Sequence, residues 1–484
     1  MAEGMTAAET DVYARLLRQL RVAAVGNKRR TNLFLARERL DEVGFSVPES
    51  MRDFAAVVGW PEKAVTAPAR RIRPGRFTVP GDRGVEEELN TLMEAETVRL
   101  VERMAIDKSV LHGPAFVFVT RGDTAAGEDD VIVSARDATE ATALVDRRTL
   151  RTTAALELVD PTTEVLYLPG QTLVLDLTGG RRVVADRVRG IPGIVPCVPY
   201  VWGRSLDRLF GRSRLTRPVM DLSGMAVRTL LRAEVTAEHF SRPQRVLEGA
   251  RDEAFRDAKG NPIPSFKLET GSIWGIPDFY DEETGEWQRA NLKQLSGASQ
   301  QPHMEHLRTI TMMMASESAI PLHQLGVVTE NPPSAEAIRA TESELVGVVQ
   351  AELPNYAQAR RQVARLAMFT RHGYGTALSR AMEGTRAAFL NPGTVTPAAA
   401  ADLAQKFIAQ YPELKDEPVV LEMWGFDESQ LERLTSAVQR NRGSSMLERV
   451  LQRRGDQTGD QTAAQGEDTP PGDGGEDATT NDRG

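Results

Sequence analysis

The sequence predicts an α+β fold that is mainly helical, and three observations carry that prediction. Long segments repeat apolar residues at helical spacing, a central region is apolar and β-branched as strands are, and prolines and glycines separate the two patterns. The chain has 484 residues, too many for one ordinary domain, and its apolar content of 41% is enough for a sizeable core. The sequence therefore indicates a large protein built from several parts.

The first half of the chain is predicted to begin with helices and to continue with strands. Apolar residues recur at helical spacing in residues 7–24, 31–42, 50–57 and 85–112. Segments that predict strands follow at residues 114–123, 130–137 and 164–188. Residues 71–84 are rich in Pro, Gly and Arg and predict a loop, and Gly179-Gly180 predicts a hairpin turn.

The second half is predicted to be largely helical, with one turn-rich insertion. Helical spacing marks residues 217–240, 301–320, 396–411 and 428–453, and a longer helix is predicted from about Ser334 to Arg371. Pro354 lies inside the long helix, where a proline removes a backbone hydrogen bond and is predicted to kink the axis. Residues 260–296 combine turns with short apolar runs, which indicates a small β-containing insertion.

Charge is distributed unevenly along the chain. The formal net charge is −9, but residues 455–484 alone carry eight acidic residues and one basic residue, so the remainder is nearly neutral. A nearly neutral body does not predict a general nucleic-acid-binding surface. The acidic segment has almost no apolar surface to bury, so it is predicted to be disordered.

The single cysteine, Cys197, excludes a disulfide within the chain and is typical of a reducing compartment. Because Cys197 lies between Pro196 and Val198, it is predicted to be a small buried side chain. The sequence has no signal-peptide pattern and no apolar run long enough to span a bilayer, so we expect no membrane association.

The stretch LHQLGVVTENPPSAEAIRATESELV, residues 322–346, places a short loop between two predicted helices. The loop residues are Val327, Val328, Thr329, Glu330 and Asn331. Pro332 and Pro333 remove backbone freedom and two donors just before the next helix. Ser334 is predicted to cap that helix, with Asn331 as the alternative. The loop is therefore predicted to keep one shape, and it carries an acidic side chain but no lysine or arginine.

Catalytic motifs are weak in this sequence. No phosphate-binding GxxxxGK[ST] motif and no nucleophile elbow is present. His303 and His306 form an HxxH pair on a predicted helix, and with Glu305 they define one alternative, a metal-dependent hydrolase. The pair lacks an evident third ligand, so a surface or interface role is favoured. Met312, Met313 and Met314 are interpreted as packing residues. We therefore expect no enzyme activity, no metal and no cofactor.

The order of the elements, helix, β-rich insertion, helix, loop and long helix, resembles the portal proteins of long-tailed bacteriophages. The resemblance is to the branch found in phages of actinobacteria and other Gram-positive hosts. The stretches that carry it are residues 40–77, LHGPAFVFV at 111–119, VPYVWGRSLDRLFGRSRLTRPVMDL at 198–222, and ESAIPLHQLGVVTENPPSAEAIRATESEL at 317–345. Together they extend over most of residues 10–453.

The resemblance implies a division of the chain into the parts of a portal subunit. These are the wing at 1–213, the first stem helix at 214–241, the clip at 242–300, the second stem helix at 301–320, the tunnel-loop region at 321–333, the long kinked helix with the rest of the wing at 334–394, the crown at 395–453 and a disordered acidic tail at 454–484. In this family, twelve copies form a ring at one vertex of the capsid, and DNA enters and leaves through its channel.

The resemblance also implies partners and sites. The partners are further copies in a homododecamer, double-stranded DNA passing without sequence recognition, the terminase motor, a head–tail connector or adaptor protein, and the major capsid and scaffold proteins. The location is the virion, with host cytoplasm during assembly. The tunnel loop, Val327 to Asn331, is expected to line the channel, with Pro332, Pro333, Ser334 and Pro354 as a hinge. The clip residues Phe266, Trp274, Ile276 and Trp287 are expected to dock partners, and the alternative for Trp274 and Trp287 is a small local core. A second structural alternative is a minor capsid component.

A channel loop without cations has a physical rationale. Each contact between a cation and a phosphate adds salt-dependent affinity for DNA, so a lysine or arginine at a constriction retains the duplex instead of letting it pass. Head-to-tail contacts between identical subunits close into a ring when the rotation per step divides a full turn. Glu330 at a narrow point of such a ring is therefore predicted to favour passage of DNA over binding.

Overall fold

The structure is a computed structural model. It describes residues 3–37, 57–177, 181–240, 299–326, 334–393 and 397–414 as continuous stretches, and in addition residues 245–248, 256, 259–261, 278–281, 285–289, 291–294, 420, 430, 433–434, 436–437 and 440. The chain divides into two compact units, Met1–Gly393 and Thr394–Gly484. Helix and strand both occur, with more helix than strand, which confirms the predicted α+β class.

The helices are α1 (Ala7–Phe34), α2 (Trp60–Ala69), α3 (Arg83–Glu94), α4 (Glu96–His112), α5 (Arg217–Phe240), α6 (Gln301–Ser318), α7 (Ala335–His372), α8 (Thr376–Ala381) and α9 (Pro397–Gln410). The predicted helices at 7–24 and 31–42 form one helix that ends at Phe34, so the second prediction is wrong for residues 35–37, and its remainder lies outside the described residues. α2 was not predicted from sequence. Residues 38–56 lie outside the described residues.

The strands are β1 (Pro74–Thr78), β2 (Pro114–Arg121), β3 (Val131–Asp137), β4 (Ala141–Val145), β5 (Thr152–Leu158), β6 (Thr163–Leu168), β7 (Gln171–Asp176), β8 (Val183–Arg189), β9 (Cys197–Val201), β10 (Arg245–Glu248), β11 (Phe279–Asp281), β12 (Glu286–Gln288), β13 (Asn291–Gln294) and β14 (Arg386–Phe389). The predicted hairpin is confirmed by the antiparallel pairing of β7 with β8. Its turn residues, Gly179 and Gly180, lie outside the described residues.

The principal core lies between a three-stranded sheet and the helices around it. The antiparallel sheet has the order β3-β2-β9, and helices α2, α3, α4 and α7 supply the other side of the core. β2 has an almost continuous run of buried residues from Ala115 to Val119, as expected for a strand covered on both faces. Cys197 on β9 is buried, which confirms its prediction as a packing residue.

A five-stranded meander, in the order β4-β5-β6-β7-β8, forms a second sheet. α1 packs on one face of this sheet and buries Tyr13, Leu16 and Leu20 against leucines of β5, β6 and β7. Thr6 caps α1, because its hydroxyl accepts from the amide of Glu9 at 3.3 Å while Glu9 accepts from the amide of Thr6 at 2.8 Å. α1 is thus fixed at its first turn as well as along its apolar face.

The segment predicted as a loop at residues 71–84 contains a strand. β1 pairs antiparallel with β14, with a register shift between Pro74 and Phe77. The loop prediction is wrong there because the strand receives its partner from a part of the chain about 300 residues later, which local composition cannot indicate. This strand pair joins the beginning and the end of the larger unit.

Candidate functional site

α5 and α6 form an antiparallel pair. The side chain of Gln300, just before α6, donates to the carbonyl of Ala233 at 3.2 Å, and the Thr236 hydroxyl lies 3.2 Å from Nε2 of His303. At the other end of the pair, the Thr216 hydroxyl donates to Glu317 at 3.3 Å. The two helices are in contact, and the short strands of residues 245–294 lie between them in the sequence.

His303, His306 and Glu305 do not form a metal site in the described chain. His303 contacts the Thr236 hydroxyl, and Glu305 accepts from the side chain of Gln301 at 2.8 Å. Across the described ranges, no group of three or more His, Cys, Asp or Glu side chains is placed to hold a metal ion. The hydrolase alternative therefore finds no support among those residues.

The three methionines at the end of α6 have different environments. Met314 is buried in the principal core, whereas Met312 and Met313 are 47% and 52% exposed. Consecutive residues on a helix point in different directions, so one helix face cannot bury all three. The packing prediction holds for Met314 and is wrong for Met312 and Met313.

The chain between α6 and the predicted tunnel loop is held by contacts on two sides. A short 3-10 helix, Leu322–Leu325, buries Leu325 and ends at Gly326, whose φ of 93° suits glycine. The Lys63 ammonium, on α2, donates to the carbonyl of Gln324. The side chain of Gln324 in turn donates to Glu342 of α7 at 3.2 Å. These contacts hold the chain just before the loop against α2 and α7.

Val327, Val328, Thr329, Glu330, Asn331, Pro332 and Pro333 lie outside the described residues. Description resumes at Ser334, whose hydroxyl accepts from the amide of Ala337 at 3.2 Å. Ser334 is the N-cap of α7, as predicted. The helix then runs from Ala335 to His372, which confirms the long helix expected from about Ser334 to Arg371.

α7 is continuous through Pro354 and becomes deeply buried directly after it. The Tyr356 hydroxyl lies 2.6 Å from the Ser109 hydroxyl of α4, and burial raises the pKa of Tyr356. Before Pro354, Glu352 accepts from the amide of Gly203 at 3.0 Å and so ties α7 to the loop after β9. Pro354 thus lies inside the helix, where its side chains become more deeply buried. The predicted kink at Pro354 stays a prediction.

A buried ion pair fastens the second part of α7 to the core. Arg360 donates to Glu102 of α4 at 2.6 Å, and both side chains are only 5% exposed. The Tyr200 hydroxyl of β9 donates to the same Glu102 oxygen at 3.0 Å. Arg360 also donates to the carbonyl of Gly75 on β1 at 2.8 Å and lies over the Phe77 ring. One guanidinium therefore connects helix α7 with α4 and β1.

Sequence reasoning missed this ion pair. Arg360 recurs with Tyr356, Val363, Ala364 and Ala367 at helical spacing, so it occupies a position on the apolar face of α7. A charged residue at a core position is the signal that indicates a buried partner. The sequence does not reveal that the partner is Glu102, which lies 258 residues away.

The predicted clip residues are only partly described. Trp287 on β12 is 71% exposed and packs edge-on against Tyr280 of β11, with ring centroids 5.6 Å apart. Phe266, Trp274 and Ile276 lie outside the described residues, as does the acidic segment 454–484. Trp287 is thus a large aromatic side chain presented on a short ribbon with most of its surface accessible.

Comparisons with known proteins agree with the resemblance seen in the sequence. The chain is 25% identical over 386 residues to the portal protein of Mycobacterium phage L5 and 26% identical over 391 residues to the portal protein of Mycobacterium phage D29. Each alignment covers 78% of this chain and 77% of the relative. The chain is therefore similar to phage portal proteins over most of its length, and the resemblance is confirmed.

Two further comparisons add little. No family model matches the chain. A chain from a solved structure of the neck of an empty GTA particle, computed with C6 symmetry, matches with a TM-score of 0.43 and 13% identity, covering 85% of this chain and 93% of that chain. A likeness at that level is too weak to define the fold. In the described ranges, every helix is too short or too polar to cross a lipid bilayer.

Proposed function

We propose that this chain is the subunit of a phage portal, a ring at one vertex of the capsid through which DNA is packaged and ejected. Its role is structural, not enzymatic, and its place is the virion after assembly in the host cytoplasm. The observation that carries the proposal is the similarity to two mycobacteriophage portal proteins over 78% of the chain. The homododecamer remains part of the proposal.

The assignment of parts follows the order of the elements. Residues 214–241 and 301–320 are the stem, which the antiparallel contact between α5 and α6 supports. Residues 242–300 between them are the clip, residues 1–213 with 334–394 are the wing, and residues 395–453 are the crown. Two antiparallel helices can act as a rod. The small β-containing segment at one end of this rod would then be held away from the larger body.

Residues 327–331 are proposed to form the tunnel loop at the narrow part of the channel. Two described features support this: Gln324 holds the chain just before the loop against α2 and α7, and Ser334 caps the helix that begins just after it. A loop whose flanking residues have a fixed conformation returns to the same region in every copy of a ring. Glu330 as its single charge lets the DNA backbone slide past without a phosphate contact.

Docking of the terminase motor and of the head–tail connector is assigned to the clip. Trp287 supports this assignment because 71% of its surface is exposed on a short ribbon. Tryptophan is among the residues that most often dominate protein interfaces. Contacts with the major capsid and scaffold proteins are also part of the proposal.

Ring formation is tested by electron microscopy and native mass spectrometry of the purified chain. Closed rings, twelve copies in each, are expected, held by the large subunit interfaces of obligate assemblies. A chain that stays monomeric across salt and protein concentration contradicts the proposal.

The channel role of the loop is tested by Glu330→Lys, with Glu383→Lys as the matched control because Glu383 is an exposed glutamate far along the chain. We expect normal rings for both variants. Glu330→Lys should retard DNA translocation in a purified packaging assay, with partial relief as salt increases, because new phosphate contacts are screened. Loss of rings in Glu330→Lys alone means that the residue is a structural joint.

The docking role is tested by Trp287→Ser. Rings should form normally, and binding of the ring to purified terminase should weaken by about tenfold or more, which is typical for the loss of a central aromatic contact. If the binding of terminase is unchanged, Trp287 does not contribute to the docking surface.

A further inference from the structure

A groove of about 800 Å³ opens between α1, the five-stranded sheet and the loop at residues 207–211. Its floor is apolar and is formed by Val12, Leu144, Leu168 and Phe210. These side chains pack at the edge of the two smaller core clusters, so the floor is continuous with well-packed structure. The volume lies within the range of sites that accept a ligand or several side chains of a partner.

The rim of the groove is cationic. It carries Arg15, Arg147 and Arg208, all exposed, against the single acidic side chain of Asp207. In the described chain, none of these three guanidinium groups has an ion-pair partner. By contrast, Gln19 of the same groove is already used, because it donates to Thr142 and to the carbonyl of Ala143 and so fixes α1 to the sheet.

α1 extends the positive charge beyond the groove. From Tyr13 to Phe34 the helix has six basic residues and no acidic one, although the chain as a whole is acidic. Its exposed surface also carries Val22 and Val25, which are 74% and 75% exposed. Burial lowers the pKa of Arg30 on this helix, and the positive charge of Arg208 lowers it further. Like charges are thus held close together where a carboxylate would relieve their repulsion.

We propose that this groove docks an acidic amphipathic segment of another protein, with apolar side chains on the floor and carboxylates against the three arginines. Carboxylate and guanidinium form the strongest hydrogen-bonded ion pairs that side chains offer. Apolar contacts on the floor bury surface that otherwise faces water. The proposal goes beyond the portal assignment and stands without it.

Two other occupants fit the groove less well. The acidic residues 455–484 of this chain contain no side chain larger than proline that is apolar, so they match the rim but leave the floor unfilled. Duplex DNA would also use the arginines through its phosphates, and the apolar floor, with exposed Val22 and Val25 nearby, gives it nothing to bind. Both rim and floor are satisfied only by a segment that is acidic and apolar at once.

The test uses the full-length chain and a fluorescent synthetic peptide two heptads long, with leucine on one helical face and glutamate on the other. Fluorescence anisotropy compares the unmodified protein with the variant Arg15→Glu, Arg147→Glu and Arg208→Glu. We expect the peptide to bind the unmodified protein and the variant to bind at least about tenfold more weakly. The matched control replaces three exposed arginines elsewhere, Arg83→Glu, Arg380→Glu and Arg386→Glu, and should leave binding unchanged.

Competitor probes separate the floor from the rim. A peptide with serine in place of leucine, and a short DNA duplex, should each bind at least about tenfold more weakly than the glutamate–leucine peptide. Equal binding of the serine peptide or of the duplex overturns the proposal, because it leaves the apolar floor without a role. Absence of peptide binding, or binding that survives the three groove substitutions, overturns it as well.

Discussion

The two halves of α7 have opposite relations to the rest of the subunit. Before Pro354, Leu345 and Val349 are the buried apolar side chains among those described in this half, and most of the remainder is accessible. Val349 already belongs to the principal core, and after Pro354 α7 contributes many more buried side chains, including Tyr356, Arg360 and a run of small and aliphatic residues. One continuous helix thus joins a fixed half to an accessible half, and the proline lies at the junction.

Both ends of α7 are held by polar contacts. The far end of α7 is held by paired hydrogen bonds from Arg371 to Asp130, at 2.6 and 2.8 Å, and His372 lies 2.7 Å from Glu88. The beginning is held by polar contacts of Glu342, including an ion pair with Arg71 at 3.0 Å in which the two side chains are 14% and 15% exposed. Polar contacts therefore hold both ends, and the halves differ in the number of side chains that they place in the packed core, which resists displacement.

The sharpest contrast is expected at Arg360. Arg360→Met removes one partner of a buried ion pair and leaves the Glu102 charge in the core, so the free energy of unfolding should fall by about 3–5 kcal/mol. Arg361→Met changes the adjacent, exposed arginine and should alter stability by less than about 0.5 kcal/mol. Urea denaturation measures both. An equal fall in the free energy of unfolding of the two variants would show that the buried ion pair contributes no more to stability than an exposed arginine does.

The junction itself is tested by Pro354→Ala. A proline inside a helix costs about 3 kcal/mol relative to alanine, so we expect a gain in the free energy of unfolding of about 1–3 kcal/mol. Gln350→Ala, one turn earlier on an exposed position, is the control and should change it little. A loss of stability in Pro354→Ala contradicts the idea that the proline is retained for shape, and the same variant should form defective rings if the bend is needed.

A smaller effect is expected at Tyr356, the first buried side chain after the proline. Tyr356→Phe removes the hydrogen bond with the Ser109 hydroxyl, which should cost about 1 kcal/mol. Ser109 keeps its second hydrogen bond, to the carbonyl of Ile106 at 2.7 Å, and this limits the loss. Combining Tyr356→Phe with Ser109→Ala in a double-mutant cycle measures the coupling. Strict additivity of the two changes would mean that the hydroxyl pair contributes nothing.

The smallest effect belongs to the accessible half. Gly347 is helical, and a methyl group added there meets no atom within 4 Å, so Gly347→Ala should stabilise the unassembled subunit by about 0.5–1 kcal/mol. Gly373, directly after α7, has a φ of 79°, and Gly373→Ala should have the opposite sign because of backbone strain. Thermal unfolding compares them. If Gly347→Ala stabilises the subunit and yet weakens rings, a neighbour packs against this face.

Sequence patterns predicted the long helices well and the sheets incompletely. α5, α6 and α7 were placed within a few residues because each has unbroken helical spacing and a clear start or stop signal, such as Ser334. β4, β5 and β9 were not identified, and β1 was interpreted as a loop. A short strand rich in Arg, Pro and Gly becomes a strand only through its partner, so its own residues indicate little.

The candidate site shows the same limit. The cap at Ser334 is local, and sequence predicted it correctly. The Arg360–Glu102 pair and the groove beside α1 depend on residues far apart in the chain, and charge on a helix is ordinarily a sign of solvent exposure. Long-range partners of charged residues are what the sequence of one protein leaves undetermined.

The pairing of β1 with β14 has a consequence for the order of events during synthesis. Nearly the whole larger unit must leave the ribosome before Phe77 can meet Ala387 and before Arg360 can bind the carbonyls of Gly75 and Ala388. Contacts between such distant residues form late and slow the completion of a fold. A growing chain therefore lacks its finished body until about residue 389 has emerged.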